Sequence, residues 1–345
     1  MESSKKLFGK TSKGEEVYAY TITNGKIGAE ILDFGATLRS IFVPDKNGKV
    51  EDVTIGYEDF APYETSGGYE GKTVGRYANR ICGGKFEING TEYNVEKNEN
   101  NTTCLHGGGE FSFNFWKVEN FSDSSITLSF ESEDGSFGFP GKMEAKVTFT
   151  VTDRNGVEIR YNAVADKDTI INFTNHSYFN LAGKGDVLGH LLKINANAFT
   201  PTDEINIPTG EIISVAGTPM DFREFKEIGK DIKADYEQIV KARGYDHNFC
   251  LLGEKGTLRA IAEAYEPESG RRMTAYTDLP GVQLYTGNFL ERCSGKGGRE
   301  NYQHCGFCLE TQYYADTPNH KNFPQCTFKA GEEYNSVTVF EFSAD

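Results

Sequence analysis

The chain has 345 residues and a formal net charge of −15 at pH 7, from 51 acidic and 36 basic side chains. An acidic chain without a basic run is a poor partner for nucleic acid or an anionic membrane surface, so a neutral small molecule is the expected partner. This length could mean two domains, but large all-β domains can exceed the usual domain size. No Pro/Ser-rich linker, low-complexity tract or internal repeat divides the sequence, which predicts a single domain over residues 1–345.

The N-terminal segment and the cysteines favour a cytoplasmic protein. Residues 1–7 (MESSKKL) lack the apolar segment of a secretory signal, and no apolar run is long enough to span a bilayer. Seven cysteines without framework spacing indicate reduced thiols. Cys305 and Cys308 have metal or redox spacing, but no second ligand pair follows nearby, so they are interpreted as buried thiols.

Hairpin signals recur along the chain. Asn-Gly is the strongest of them because both residues tolerate the positive φ of a type I′ turn. The pair occurs at residues 24–25, 47–48, 89–90 and 155–156. Seven segments are predicted as strands, namely residues 17–22, 26–32, 125–130, 146–151, 157–161, 169–173 and 336–342. Repeated hairpins with few helical periods predict an all-β fold of antiparallel sheets.

One long helix is predicted over residues 222–242. Asp221 and Glu224 have the spacing of an N-cap residue and its N3 partner, and apolar side chains recur at steps of three or four. Gly229 is expected to bend or break this helix, and Gly244 to end it. The apolar stripe is interpreted as core.

Polar side chains cluster at six points beside the predicted strands, which is where a β scaffold usually carries a site. The clusters are residues 75–81 (GRYANRI), 105–109 (LHGGG), 174–181 (TNHSYFNL), 244–248 (GYDHN), 280–288 (PGVQLYTGN) and 308–312 (CLETQ). Because side chains alternate along a strand, His176, Tyr178 and Asn180 are expected on one face. Histidine is suited to proton transfer near neutral pH, and burial raises the pKa of a carboxylate such as Glu310 toward base chemistry.

Each of these residues also has a structural interpretation. His176 could be a hydrogen-bonded core histidine, and His106 could serve a turn. Arg80 could pair with a surface carboxylate, and Asp246 could cap a loop. The sequence contains no nucleophile elbow, phosphate-binding loop, zinc-protease motif or dinucleotide fingerprint, so proton transfer between a carboxylate and an imidazole is the simplest remaining chemistry.

The clusters resemble those of the aldose 1-epimerase (galactose mutarotase) family. Matching segments occur in family order at residues 75–81, 105–108, 174–181, 245–249, 280–283, 309–312 and 316–320. Lys321 and Ala330 stand where the family commonly has proline, both outside the catalytic clusters. The resemblance implies a large antiparallel β-sandwich with few short helices. It also implies interconversion of the α and β anomers of free aldoses such as glucose and galactose, with no metal or cofactor.

The resemblance also implies roles for individual residues. Glu310 is the general base that takes the proton from the C1 hydroxyl, and His176 is the general acid that protonates the ring oxygen. His176 must then start protonated, which a nearby carboxylate favours. The expected sugar-binding residues are Asn79, Arg80, His106, Asp246 and Gln283, with Tyr178 added because it shares a face with His176. A monomer or weak dimer is expected.

Three other functions remain open from the sequence. A non-catalytic carbohydrate-binding module would not need the pair Glu310 and His176. A glycosidase would use Asp246 and Glu310 as its two carboxylates, at separations of about 5–5.5 Å or 6.5–9.5 Å. A relative acting on phosphorylated hexoses would need a basic pocket, for which Arg80 alone is thin support.

Overall fold

The computed structural model describes residues 2–345, and its largest elements are sheets of nine, six and five strands. In spatial order, the nine-stranded sheet contains Lys117–Phe121, Ser125–Ser132, Met143–Val151, Gly156–Ala165, Glu333–Ala344, Arg271–Thr277, Arg259–Tyr265, Leu191–Ile194 and Lys226–Glu227. The six-stranded sheet contains Tyr178–Phe179, Phe307–Gln312, Gly281–Tyr285, Asp246–Leu251, Ala196–Phe199 and Ile213–Ser214. The five-stranded sheet contains Ser4–Lys10, Glu16–Thr23, Gly28–Leu32, Thr37–Pro44 and Val50–Asp52.

Short elements complete the fold. Five strand pairs are Thr73–Val74 with Thr174–Asn175, Arg80–Ile81 with Cys104–Leu105, Lys85–Ile88 with Thr91–Asn94, Thr169–Ile170 with Thr327–Phe328, and Cys293–Ser294 with Glu300–Asn301. The α-helices are Ala61–Thr65 and Glu237–Ala242, and the 3₁₀ helices are Cys82–Gly84, His106–Gly109, Ser136–Gly138, Lys296–Gly298 and Thr317–Asn319. Across residues 2–345, no helix has the length and apolar character needed to cross a membrane.

The nine- and six-stranded sheets pack against each other and enclose the main core. Their strands pair antiparallel. The rings of Phe179 and Phe340 lie 4.7 Å apart across the interface, and the hydroxyls of Thr311 and Thr338 are hydrogen-bonded. The antiparallel β-sandwich predicted from the sequence is therefore confirmed. The opposite face of the six-stranded sheet is free to carry polar side chains.

Six of the seven predicted strands are present, but of residues 169–173 only Thr169–Ile170 form a strand, and the turns between strands also differ from the prediction. Residues 146–151 and 157–161 lie in two paired strands of the large sheet. Of the four Asn-Gly pairs, only Asn89 and Gly90 both have positive φ, at 52° and 81°. Elsewhere the type I′ interpretation is wrong because the loops are longer, as in the loop that Thr152 and Gly156 close by a backbone hydrogen bond.

The helix predicted over residues 222–242 is wrong except at its end. Only Glu237–Ala242 is helical, and it ends where Arg243 adopts a left-handed conformation before Gly244. Upstream, the main chain is bound elsewhere: Ile228 N–H donates to the carbonyl of His190, and Lys226–Glu227 pairs with the edge of the large sheet. The apolar side chains of this segment are largely buried in the core. Its backbone N–H and C=O groups, which a helix would pair internally, are instead hydrogen-bonded to distant parts of the chain.

Candidate active site

A cavity of about 770 Å³ lies over the polar face of the six-stranded sheet. Seven of the eight predicted site residues line it, namely Asn79, Arg80, His106, His176, Tyr178, Asp246 and Glu310. The eighth, Gln283, lies beside it and donates from Nε2 to Oδ1 of Asp246 at 2.7 Å. The structure therefore brings together residues from all six sequence clusters.

Strand register explains the position of the carboxylates. Glu310 is paired with Gln283 on the adjacent strand, and Asp246 is paired with Tyr285. Because side chains alternate, these four residues point to the same face of the sheet as Cys308. Oε2 of Glu310 and Oε1 of Gln283 are buried and have no hydrogen-bond partner among residues 2–345. Unpaired buried acceptors are costly, and here they border a cavity that can hold hydroxyl donors.

His176 reaches the same point from a different part of the chain. Its backbone N–H donates to the carbonyl of Lys72 at 2.9 Å, and its own carbonyl accepts from the N–H of Gly71 at 2.9 Å. These bonds hold the main chain on both sides of the residue. Its Nε2 lies 3.6 Å from Oε2 of Glu310, and both side chains are almost completely buried.

Burial disfavours the charged forms of this pair. It lowers the pKa of His176 to about 4. It also raises the pKa of Glu310 well above its ordinary value; the charge of Asp246 adds to this rise and that of Arg80 opposes it. These directions put the proton on Glu310 and run against the expectation that His176 starts protonated. One proton transfer across the 3.6 Å gap interconverts the neutral pair and the ion pair.

His106 is held in an orientation that suits a neutral hydrogen-bond donor. Its Nδ1 accepts a hydrogen bond from the backbone N–H of Asn79 at 3.2 Å, so its proton lies on Nε2. Burial lowers its pKa well below the ordinary value. The nearest ligand atoms of His106, His176 and Glu310 lie within 4.8 Å of one another, a set that could hold a metal ion. Binding a metal through Nε2 would place the proton on Nδ1, facing the Asn79 N–H, so the geometry does not fit a metal.

Arg80, one of the two arginines that line the cavity, is already paired. Arg80 donates from Nε and Nη2 to the two carboxylate oxygens of Glu99, each at 2.8 Å. Its guanidinium is therefore held in one orientation. Tyr178, by contrast, donates its hydroxyl to the carbonyl of Gly68 at 2.8 Å and presents its ring to His176.

One sequence expectation about the site is wrong. Asn180 does not face the cavity with His176 and Tyr178 but donates from Nδ2 to the carbonyls of Cys305 and Gly185. The strand Tyr178–Phe179 ends before it, so strand alternation no longer applies.

Several residues that contact the site were not predicted from the sequence. Tyr69 packs its ring 4.7 Å from His106 and 6.1 Å from His176, and Glu99 orients Arg80. Neither had a sequence signal. Tyr285 and Cys308 could have been found, since each lies two positions from a predicted site residue on the same strand.

Comparisons with known proteins agree with this fold and site. Residues 18–341 match the aldose 1-epimerase family model. The chain is 40% identical over 331 residues to galactose mutarotase from Bos taurus, covering 95% of this chain and 94% of that one. It is 36% identical to aldose 1-epimerase from Escherichia coli (strain K12), covering 93% and 94%. The crystal structure of an aldose epimerase homologue from C. elegans superposes with a TM-score of 0.87 at 31% identity, covering 94% of this chain and 99% of that one.

The fold and the comparisons together define an isomerase of sugars. The chain belongs to the aldose 1-epimerase family. Its activity is that of a mutarotase, which interconverts the α and β anomers of an aldose.

Proposed function

We propose that Glu310 and His176 are the base and the acid of this mutarotase. The observation that carries the proposal is the 3.6 Å separation of their Nε2 and Oε2 atoms at a cavity. Opening a hemiacetal requires removal of the proton on O1 and delivery of a proton to the ring oxygen. Two facing groups that share one proton can do both without a metal or cofactor.

The proposed reaction begins when the proton moves from Glu310 to His176 in the presence of the sugar. The Glu310 carboxylate then removes the O1 proton, and the His176 imidazolium protonates the ring oxygen as the C1–O5 bond breaks. Rotation about C1–C2 presents the other face of the aldehyde, and the two groups act in reverse to close the ring. Each positioned acid or base contributes about 10²- to 10⁴-fold in rate.

The remaining site residues are proposed to bind the sugar. Asp246 accepts hydrogen bonds from neighbouring hydroxyls, and Gln283 orients it through the 2.7 Å contact. His106 donates from Nε2, since its Nδ1 is occupied by the Asn79 N–H. Arg80 is held by Glu99 as a second fixed donor. Tyr178 forms part of the wall against His176.

The proposed substrates are galactose and glucose. The mammalian relatives are named for galactose. A neutral hexose suits a cavity with several carboxylates and an arginine already paired with Glu99, whereas a hexose phosphate would meet repulsion from the acidic side chains. We also propose that residues 1–345 act as one domain and as a monomer or weak dimer. A cytoplasmic location is supported by seven cysteines that form no disulfide within residues 2–345.

The test follows the optical rotation of freshly dissolved α-galactose and α-glucose. The unmodified protein is expected to accelerate equilibration, and Glu310→Gln and His176→Gln are each expected to reduce kcat by about 10² or more. Glu341→Gln, at a partly exposed salt bridge on the other sheet, is the matched control and retains activity. Unchanged kcat in Glu310→Gln would refute the base assignment, and release of an aryl group from an aryl glycoside would favour a glycosidase.

A further inference from the structure

The two ring nitrogens of His176 face two residues of a single strand. Nδ1 lies 3.6 Å from Sγ of Cys308, and Nε2 lies 3.6 Å from Oε2 of Glu310. Cys308 and Glu310 are two positions apart in Phe307–Gln312, so they share a face and are spaced by about 7 Å along the strand. An imidazole ring fits between them, and two contacts on one strand fix the plane of that ring.

The partner of Nδ1 distinguishes the two histidines of the cavity. His106 faces the backbone N–H of Asn79, which can only donate, so protonating Nδ1 of His106 would break that bond. A thiol is both a weak donor and a weak acceptor. Cys308 can therefore accept from Nδ1–H of His176 in both the neutral ring and the imidazolium, which leaves Nε2 as the nitrogen that gains and loses a proton. His176 is the ring whose surroundings tolerate a change of charge.

The surroundings of Cys308 keep it in the thiol form. It is completely buried in a cluster with Ile55, Tyr178 and Cys305, and burial raises the pKa of its thiol well above the ordinary value. A carboxylate at this position would hold His176 in the charged form by charge attraction. The uncharged thiol orients the ring and leaves the proton free to move between Nε2, Glu310 and the sugar.

We propose that Cys308 is a positioning residue for the mutarotase reaction. Its thiol contacts Nδ1 of His176 in both protonation states, so that Nε2 points at Glu310 and the sugar throughout turnover. In the neutral ring, this contact holds the proton on Nδ1, so that Nε2 is free to take a proton from Glu310. The inference rests on the proposed acid role of His176.

The experiment compares Cys308→Ala and Cys308→Ser with the unmodified protein. Loss of the thiol is expected to lower kcat by about tenfold with KM within about twofold, since orientation of the acid matters most in the transition state. Serine, which can also donate and accept, is expected to restore part of the loss. In ¹⁵N-labelled protein, long-range ¹H–¹⁵N spectra of the His176 ring should show one neutral tautomer, and the two nitrogen shifts should converge in Cys308→Ala. The His176 signals are assigned by their absence in His176→Gln.

The matched control is Cys305→Ala, which removes a buried thiol from the same cluster without a contact to His176. Wild-type kcat and an unchanged tautomer in Cys308→Ala would overturn the proposal, as would an equal loss of kcat in Cys305→Ala. Thermal melting verifies that both variants are folded, and Cys308→Ser provides the comparison if the alanine variant is not. The spectra report the tautomer whether or not Glu310→Gln loses activity, so failure of the proposed function is seen separately.

Discussion

The proposal that His176 and Glu310 share one proton predicts a broad pH profile for catalysis. The pKa of His176, about 4, describes the acid limit at which the pair takes up a second proton. At pH 5.5 about 3% of the molecules would hold that second proton, from the tenfold change per pH unit. The raised pKa of Glu310 delays loss of the remaining proton as the pH increases. The rate depends on the population with one proton, so kcat/KM should be nearly constant between these limits.

Two independent groups with ordinary pKa values would behave differently. A carboxylate of pKa 4.5 and an imidazolium of pKa 6.5 are both in their reactive forms only between those values. Their rate would fall about eightfold between pH 6 and pH 7.5. For the shared proton, we expect an alkaline midpoint above 6.5 and a much smaller decline over this interval.

The assay measures initial rates of mutarotation by polarimetry across this pH range, after subtraction of the spontaneous rate in each buffer. Asp246→Asn provides an internal check because the charge of Asp246 contributes to the raised pKa of Glu310. In that variant the alkaline limb should move to lower pH, together with a higher KM for the sugar. An alkaline midpoint at 6.5 in the unmodified protein, with the eightfold fall, would refute the shared-proton reasoning.

Two further predictions concern stability. Arg76 is completely buried and donates to Ser132 and to several backbone carbonyls. Arg76→Met should therefore lower the free energy of unfolding, measured in urea, by about 3–5 kcal/mol. A decrease below about 1 kcal/mol would contradict this prediction. Burial raises the pKa of Asp33 to about 6, so its contribution to stability is present below the unfolded pKa and is lost as the pH rises through about 6. Asp33→Asn can still accept the hydrogen bond from Tyr18 N–H, so it should raise Tm at pH 8 but not at pH 4. An equal increase in Tm at both pH values would exclude titration of Asp33 as the cause.

Local patterns predicted the strands well and the helix badly. Residues 146–151 and 157–161 alternate because one face of their strands is buried, and this requirement is visible in the sequence. The apolar stripe in residues 222–242 is also core, yet its spacing did not establish a helix. Hydrogen bonds from Ile228 to His190 and from Gly229 to Leu188 bind the main chain there, and no local pattern records such distant partners.

The sequence by itself determined the all-β class, the family and the identity of the residues with suitable chemistry, because side-chain type and strand periodicity are local properties. Tertiary structure alone decided that His176 and Glu310 lie 3.6 Å apart, that Asn180 faces away from them, and that Cys308 contacts the same imidazole. Strand order and register set these distances. The same packing removes water from the pair, and this desolvation shifts both pKa values toward the uncharged forms.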